Sequence, residues 1–316
     1  MLKGRSQTPN HTFERILVIR GGGLGDFVLI LPVLAALRQS WPNASVELLC
    51  NPEMGEMAQQ SQYAERVRSI HDAEVASFFS DHPSVPRAEY LKGFDLVISF
   101  LTDQTGCLEK NLRRHVPQVV MIPPPTRPCV HAALHFLSSL EALRICAEDY
   151  VPKLAVLPRA RTAAGRLLPG LFSNHKTLPI AVHPGSGSPQ KNWSTKGYSD
   201  LILWLKEDLG RVPLLVTGEA DTETRRNLRQ ELGQTFTFEI SRQPLRVLAP
   251  VLQCCSLLIG NDSGVTHLAA ALGTPVLAFF GPTSPQIWRP LGERVRILGF
   301  EEASPDRVHQ EILKLL

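Results

Sequence analysis

Nothing in these 316 residues spells the ligand spacing of a metal site. There is no C-x-x-C, no H-E-x-x-H, no paired Cys/His set and no D-x-D, so no motif obliges a metal. Charge of one sign is also scarce. Thirty-three Lys and Arg against 30 Asp and Glu leave a formal net charge of +3, with a pI near 8.6. That is too mild a bias to argue for nucleic acid, although it suits a protein that handles phosphorylated or otherwise anionic substrates. The apolar stretch 27–37 falls short of the ~20 residues that a bilayer span requires. It carries Pro32 and follows a strand and a glycine turn, so it reads as neither span nor leader. The six cysteines, Cys50, Cys107, Cys129, Cys146, Cys254 and Cys255, read as reduced core thiols. The expectation is a cytoplasmic protein, with work against a membrane face left open.

What is present is ordinary globular material, 43% hydrophobic and 20% charged, long enough for two domains of roughly 150 residues each. The first half alternates apolar runs at 16–19, 46–49, 95–100 and 119–122 with helical patterns at 27–39 and 131–146. Such alternation predicts a parallel, doubly wound α/β sheet. Residues 157–179, rich in Arg, Pro, Gly and Ala, break the rhythm, and the alternation then resumes through "VPLLVTG" and "SLLIGNDSGVTHLAAALGTPVLAFFGPTSP". The organisation expected is a Rossmann-like domain over 1–160, a linker over 161–178 and a second Rossmann-like domain over 179–316. Ligands are expected in a cleft between the two, at the carboxyl ends of the strands.

Four motifs carry chemistry. In "RGGGLGDF" (20–27) Gly21-x-Gly23 is followed by Leu24, Gly25 and Asp26. A dinucleotide fingerprint would place its last glycine there, and a carboxylate at that helix turn repels a pyrophosphate. Glu47 lies near the right distance for a ribose contact, but the phosphate site is taken. Asp26 therefore reads as a working carboxylate presented by a loop of Gly22, Gly23 and Gly25. A plain helix cap and a nicotinamide dehydrogenase remain as alternatives. In "HPGSGSPQKNWSTKGY" (183–198) Ser186, Gly187 and Ser188 offer hydroxyls and close amides, and Lys191 a point charge, which suits a diphosphate. A solvated loop with Trp193 packed under the next helix is the alternative, and "GSGSP" lacks the final glycine of a nucleophile elbow. In "TGEADTE" Glu219 follows a strand and a glycine turn and is placed to accept from ribose hydroxyls. In "GNDSGVTHLAAALGTP" (260–275) Asn261, Asp262 and Ser263 cap a small-residue helix. Its first-turn amides, with Ser263, Gly264 and Thr266, form a second anion cradle, and His267 sits one turn in. Asp262 as an N-cap alone is the alternative.

Taken in order, "GLGDFVLILP", "HPGSGSPQKNW", "TGEADTE" and "NDSGVTHLAAALGTPVLAFFGPTSP" resemble glycosyltransferase family 9, the bacterial lipopolysaccharide heptosyltransferases, over about residues 16–288. The resemblance implies a GT-B architecture with acceptor on the first domain and nucleotide sugar on the second. It implies inverting, metal-independent transfer from ADP-heptose to a glycan or glycolipid acceptor, with no cofactor. Carried over by motif, Asp26 falls on the general base, Lys191 on the lysine of the donor phosphates and Glu219 on the glutamate of the nucleotide ribose. Asp262, Gly264 and His267 fall on donor-site positions. The chain departs from the family's pattern at Gly21 to Gly23 and Gly187, where hydroxyl residues are common, and at Leu31, where Thr or Ala is. The expected setting is a cytoplasmic monomer, without nucleic acid, with peripheral contact at the inner membrane's cytoplasmic face left open. A GT-B enzyme using another nucleotide sugar, and a non-catalytic nucleotide-sugar binder, remain the rival readings.

Overall fold

The computed structural model describes residues 12–72, 75, 78, 89–125, 129–147, 149–156, 162, 165, 166, 171, 178–235 and 238–316. They form two compact units, Met1–Tyr150 and Val151–Leu316. Most of the linker expected over 161–178 lies outside the described residues.

The first unit is a five-stranded sheet in the order β3-β2-β1-β4-β5. Its strands are β1 (Arg15–Ile19), β2 (Ser45–Cys50), β3 (Arg66–Ser69), β4 (Leu96–Ser99) and β5 (Gln118–Met121). Every pair is parallel, with Ile16 opposite both Val46 and Leu96. Parallel strands are covered by helices on both faces, which is why Ile16, Leu17, Val18 and Ile19 are fully buried without alternation. Leu17, Ile19, Leu49 and Val97 share one face with Leu108 and Leu112 of the helix Cys107–Arg113. Each such side chain contributes about 1.5–3 kcal/mol by leaving water.

The helical pattern expected over 27–39 is two helices, Leu24–Val28 and Leu31–Ser40. Pro32 lacks the N–H that would bond the Val28 carbonyl, and its ring crowds that carbonyl, so the chain turns at Leu29 and Ile30 and restarts with Pro32 in the first turn. The stretch expected as one helix over 131–146 is Ala132–Ser138 followed by a 3-10 turn, Ser139–Leu143, which ends at Arg144 with φ 59°.

The second unit is a six-stranded sheet in the order β11-β10-β9-β6-β7-β8, again parallel throughout. Its strands are β6 (Ile180–His183), β7 (Pro213–Thr217), β8 (Phe238–Ser241), β9 (Leu257–Asn261), β10 (Val276–Phe280) and β11 (Val295–Gly299). Counted from β6 the order is 3-2-1-4-5-6, the doubly wound pattern of a dinucleotide-binding fold. The helix Thr195–Glu207 lays Tyr198, Leu201, Ile202 and Leu205 on Ile180, Val182 and Phe279, and Ile312 of the helix Pro305–Leu315 joins the same cluster. In each sheet the strand order reverses beside the first strand, between β1 and β4 and between β6 and β9. Open parallel sheets hold ligands at the carboxyl ends of those strands.

The cysteines depart from the expectation of a uniform core set. Cys50 and Cys255 are buried, Cys107 and Cys254 intermediate, and Cys129 and Cys146 exposed; all are free thiols. Burial pushes the Cys50 thiol up to about 12 and raises Cys255 further. Only cysteines on strands, or just before them, were carried into a core. Among the described residues no helix is long and apolar enough to cross a membrane.

Candidate functional site

At the carboxyl end of β1 the chain turns through Gly21, Gly22 and Gly23 into the helix Leu24–Val28. Gly22 has φ 88°, and a Cβ there would stand 2.6 Å from Asp26 Oδ2, so both backbone and space call for glycine. Asp26 sits in the first helical turn. Its Oδ2 accepts from the Gly23 amide at 3.1 Å, so part of its role is to cap the helix, as one alternative anticipated. Its Oδ1 accepts from Arg20 Nη2 at 2.9 Å, and its carbonyl accepts from Arg20 Nε at 3.1 Å. The carboxylate remains 44% exposed and so open to a substrate, whereas the Arg20 side chain is 9% exposed. Desolvation pulls the Arg20 guanidinium below its ordinary value, and the Asp26 charge opposes the shift. Gly25 lies within the helix, one residue before Asp26.

Glu47 does not stand where a ribose-binding acid would. It is within β2, 8% exposed, and accepts from the Tyr90 hydroxyl at 2.7 Å. A ribose contact needs an acid beyond the strand's carboxyl end. With Asp26 in the phosphate position as well, neither residue that the dinucleotide reading relied on is placed for that role among the described residues.

In the second unit, the loop after β6 and the turn after β9 are joined by one buried amide. Asn261 is fully buried. Its Oδ1 accepts from the Trp193 amide at 2.9 Å and the Tyr198 hydroxyl at 2.8 Å. Its Nδ2 donates to the Pro184 carbonyl at 2.8 Å and lies 3.3 Å from that of Gly185. Trp193 stacks on Phe279 with centroids 4.4 Å apart, and Tyr198 meets it edge-on at 5.2 Å. The packing expected of Trp193 is therefore present, and it anchors the loop that carries Lys191.

Lys191 Nζ donates to Asp262 Oδ2 at 2.8 Å, across 71 residues of chain. Thr283 Oγ1 donates to the same oxygen at 2.7 Å, and His267 Nε2 lies 3.9 Å from Oδ1. The Asp262 side chain is 7% exposed and that of Lys191 32%. Asp262 is not the N-cap of the following helix, Gly264–Ala271. Ser263 is, with φ −147° and ψ 161°, its hydroxyl accepting from the Thr266 amide. Asp262 is left to hold Lys191. Thr266 is fully buried and gives its hydroxyl to the Asn261 carbonyl at 2.6 Å, so it shapes the turn. Helix geometry leaves the Gly264 and Val265 amides without intrahelical acceptors, a natural place for an anion.

Ser186 is 8% exposed, its Oγ 2.6 Å from the Ser188 carbonyl and 2.7 Å from Asn192 Oδ1, while it accepts from the Ser188 amide. Gly187, at the tip, is exposed, and a Cβ there would meet nothing within 4 Å. Glu219 is exposed just past β7, and its carbonyl accepts from Thr222 Oγ1 at 3.0 Å. Beside it Asp221 is buried, accepts from the Gly218 amide at 2.6 Å and lies 3.9 Å from His183 Nδ1. Among the described residues no group of three or more His, Cys, Asp or Glu is arranged to hold a metal ion.

Three residues of this arrangement had no such role assigned from the sequence: Arg20 and Thr283, which lie within the quoted motifs, and Asn261 as a tie between loops. Arg20 and Asn261 did leave a trace, each being a polar residue at the end of an otherwise apolar strand run.

Residues 136–316 match the family model described as "Glycosyltransferase family 9 (heptosyltransferase)". The chain is 22% identical over 305 residues to lipopolysaccharide heptosyltransferase 2 of Escherichia coli, covering 90% of this chain and 87% of that one. It is 29% identical over 135 residues to lipooligosaccharide heptosyltransferase 2 of Haemophilus influenzae, there covering 42% of this chain and only 39% of the relative. Among solved structures, the E. coli ADP-heptose lipopolysaccharide heptosyltransferase II superposes with a TM-score of 0.77 at 18% identity, over 95% of this chain and 98% of that one. Asp26 and its glycine turn lie outside the segment that matches the family model.

Proposed function

The chain belongs to glycosyltransferase family 9, and from that premise we propose that it moves heptose from ADP-heptose onto a glycan or glycolipid acceptor of the lipopolysaccharide core, by one inverting displacement and without a metal. The observation that carries the reading is the Lys191–Asp262 pair. It stands at the carboxyl ends of β6 and β9, where the sheet order reverses, within the segment that matches the family model.

A lysine ammonium has three N–H donors. Asp262 takes one, which fixes where the charge stands and leaves two for the donor diphosphate. Gly264 and Val265 offer their amides to the same group, and the Ser188 hydroxyl and Gly187 amide stand in the loop before Lys191. Glu219, free of side-chain duties at the end of β7, is suited to the ribose hydroxyls. When the acceptor oxygen attacks the anomeric carbon, its proton passes to the Asp26 carboxylate. The bond from that carbon to the diphosphate oxygen breaks on the opposite face, and its electron pair leaves with ADP. Lys191 and the helix amides stabilise that charge as it forms. General-base help of this kind is worth about 100- to 10,000-fold. On this reading the protein acts as a monomer at the cytoplasmic face of the inner membrane, where such an acceptor would be presented.

Calorimetric titration of the purified protein with ADP, against UDP, GDP, CMP and NAD at one salt concentration, tests the donor. Preference for ADP is expected. Preference for UDP or GDP would keep the enzyme class and discard ADP-heptose, and tight binding of NAD alone would overturn the reading.

A further inference from the structure

A carboxylate on a glycine turn is free to rotate unless something fixes it, and a base that rotates is rarely in line with the hydroxyl it must deprotonate. Asp26 is fixed from one side by the arginine that opens the glycine turn. Arg20 is the first residue after β1, its amide bonded to the Leu49 carbonyl at 3.0 Å, which extends the strand pairing by one step. Its guanidinium carbon lies 5.2 Å from the centre of the Phe136 ring and 5.6 Å from that of Phe100, and those two rings meet edge to face. From this aromatic seat the fork reaches Asp26 twice, Nε to the carbonyl and Nη2 to Oδ1. One residue is thus held by backbone and side chain together.

Stability alone is a poor reason for this arrangement. Burying a guanidinium incurs a desolvation cost that a well-packed apolar side chain would avoid. Lysine would serve less well, because its ammonium is a single point of charge without the rigid planar fork that meets both acceptors at once. Oδ2 is meanwhile held by the Gly23 amide, so each carboxylate oxygen has one donor from the chain and lone-pair capacity to spare for a substrate hydroxyl.

We propose that Arg20 is the positioning residue of the transfer reaction: it holds the Asp26 carboxylate in the one orientation from which it takes the acceptor's proton. The inference rests on the general-base role given to Asp26 above. Because Arg20 acts through Asp26, its removal matters only while Asp26 is a carboxylate.

The test is a double-mutant cycle on transfer, using Arg20→Met, Arg20→Lys, Asp26→Asn and the double variant Arg20→Met/Asp26→Asn, with ADP affinity measured for each. Arg20→Met is expected to lower kcat by roughly 10- to 100-fold, the scale of a small misplacement, with ADP affinity unchanged. Arg20→Lys should recover only part of the loss. The double variant should be no slower than Asp26→Asn alone. If instead the two losses multiply, or if Arg20→Met raises the acceptor KM with kcat intact, the positioning role is wrong. Should Arg20→Met fail to fold, Arg20→Lys completes the same cycle with the same criterion. A silent Asp26→Asn would remove the base reading and this inference with it. An inactive Asp26→Asn beside a fully active Arg20→Met would remove this inference alone.

Discussion

Replacing Asn261 with alanine tests whether one buried amide ties the donor loop to the sheet. The substitution strips the acceptor from the Tyr198 hydroxyl, which is fully buried, and from the Trp193 amide, which is partly so, and it strips the donor from the Pro184 carbonyl. A buried polar group left without a partner costs about 1–3 kcal/mol. With the tyrosine taken at the middle of that range and the other two near its floor, the loss is roughly 3–5 kcal/mol, a large share of the 5–15 kcal/mol typical of a domain. Tyr198→Phe removes one of these bonds and leaves the rest, so it should cost only about 1 kcal/mol. Urea unfolding followed by tryptophan fluorescence is a suitable assay, because Trp193, Trp204 and Trp288 all lie in the second unit and only Trp41 in the first. The two units can melt separately, so the transition to follow is the one those three report. ADP affinity should fall with Asn261→Ala, since Lys191 rides on the loop that is released. If Asn261→Ala were no more destabilising than Tyr198→Phe, the description of Asn261 as the tie between β9 and the loop would be refuted.

Other perturbations follow from the same geometry. Lys191→Ala should weaken both ADP binding and transfer, because it removes the cation from the buried Asp262 carboxylate and leaves it the Thr283 hydroxyl, with His267 Nε2 3.9 Å away; unchanged ADP affinity by calorimetry would count against a diphosphate site there. Gly22→Ala should cost about 1–2 kcal/mol for a left-handed residue and slow transfer by crowding Asp26 Oδ2, with ADP affinity intact; transfer kinetics at the parental rate would contradict it. Stability should also depend on His183, whose basicity burial pushes below the usual histidine value of 6.5, with Asp221 opposing. The unfolded chain takes up that proton near pH 6.5 and the folded one only lower, so the contribution is whole above pH 6.5 and is lost as the pH falls below it. The slope is at most about 1.4 kcal/mol per pH unit. Melting temperatures between pH 8 and 5 should drop less for His183→Gln, and identical profiles would remove His183 as the cause.

Much of this was legible in the residues. Buried parallel strands announce themselves as nearly unbroken apolar runs, which is how β1, β4, β6, β9 and β10 stood out. The strands passed over, β3, β8 and β11, are all edges. "RVRS", "FEIS" and "VRILG" are less buried than the central strands, and their charged residues interrupt the apolar runs by which a buried parallel strand is recognised. Pro32 was visible in the sequence, yet the apolar pattern over 27–39 reads as one helix, whereas the proline starts a second. The glycine turn and the serine-rich loop could be placed because each depends on local chemistry. The Lys191–Asp262 pair and the Asn261 tie could not, since they join residues about 70 positions apart and follow from which strands become neighbours. Asp262 was open to reading as a cap for the same reason. Ser263 and Asp262 are equally good caps in isolation, and only the backbone turn decides between them.

The central claim is that a carboxylate on the first unit and a lysine-anchored diphosphate site on the second together transfer a sugar. Its most direct test is the reaction of the parental protein and of Asp26→Asn with ADP-heptose and a truncated lipopolysaccharide acceptor, followed by ADP release and by the anomeric configuration of the product. The account predicts an inverted linkage from the parental protein, and from Asp26→Asn a rate lower by about 100-fold or more with ADP binding retained. A retained configuration, or an Asp26→Asn variant that transfers at the parental rate, would contradict it.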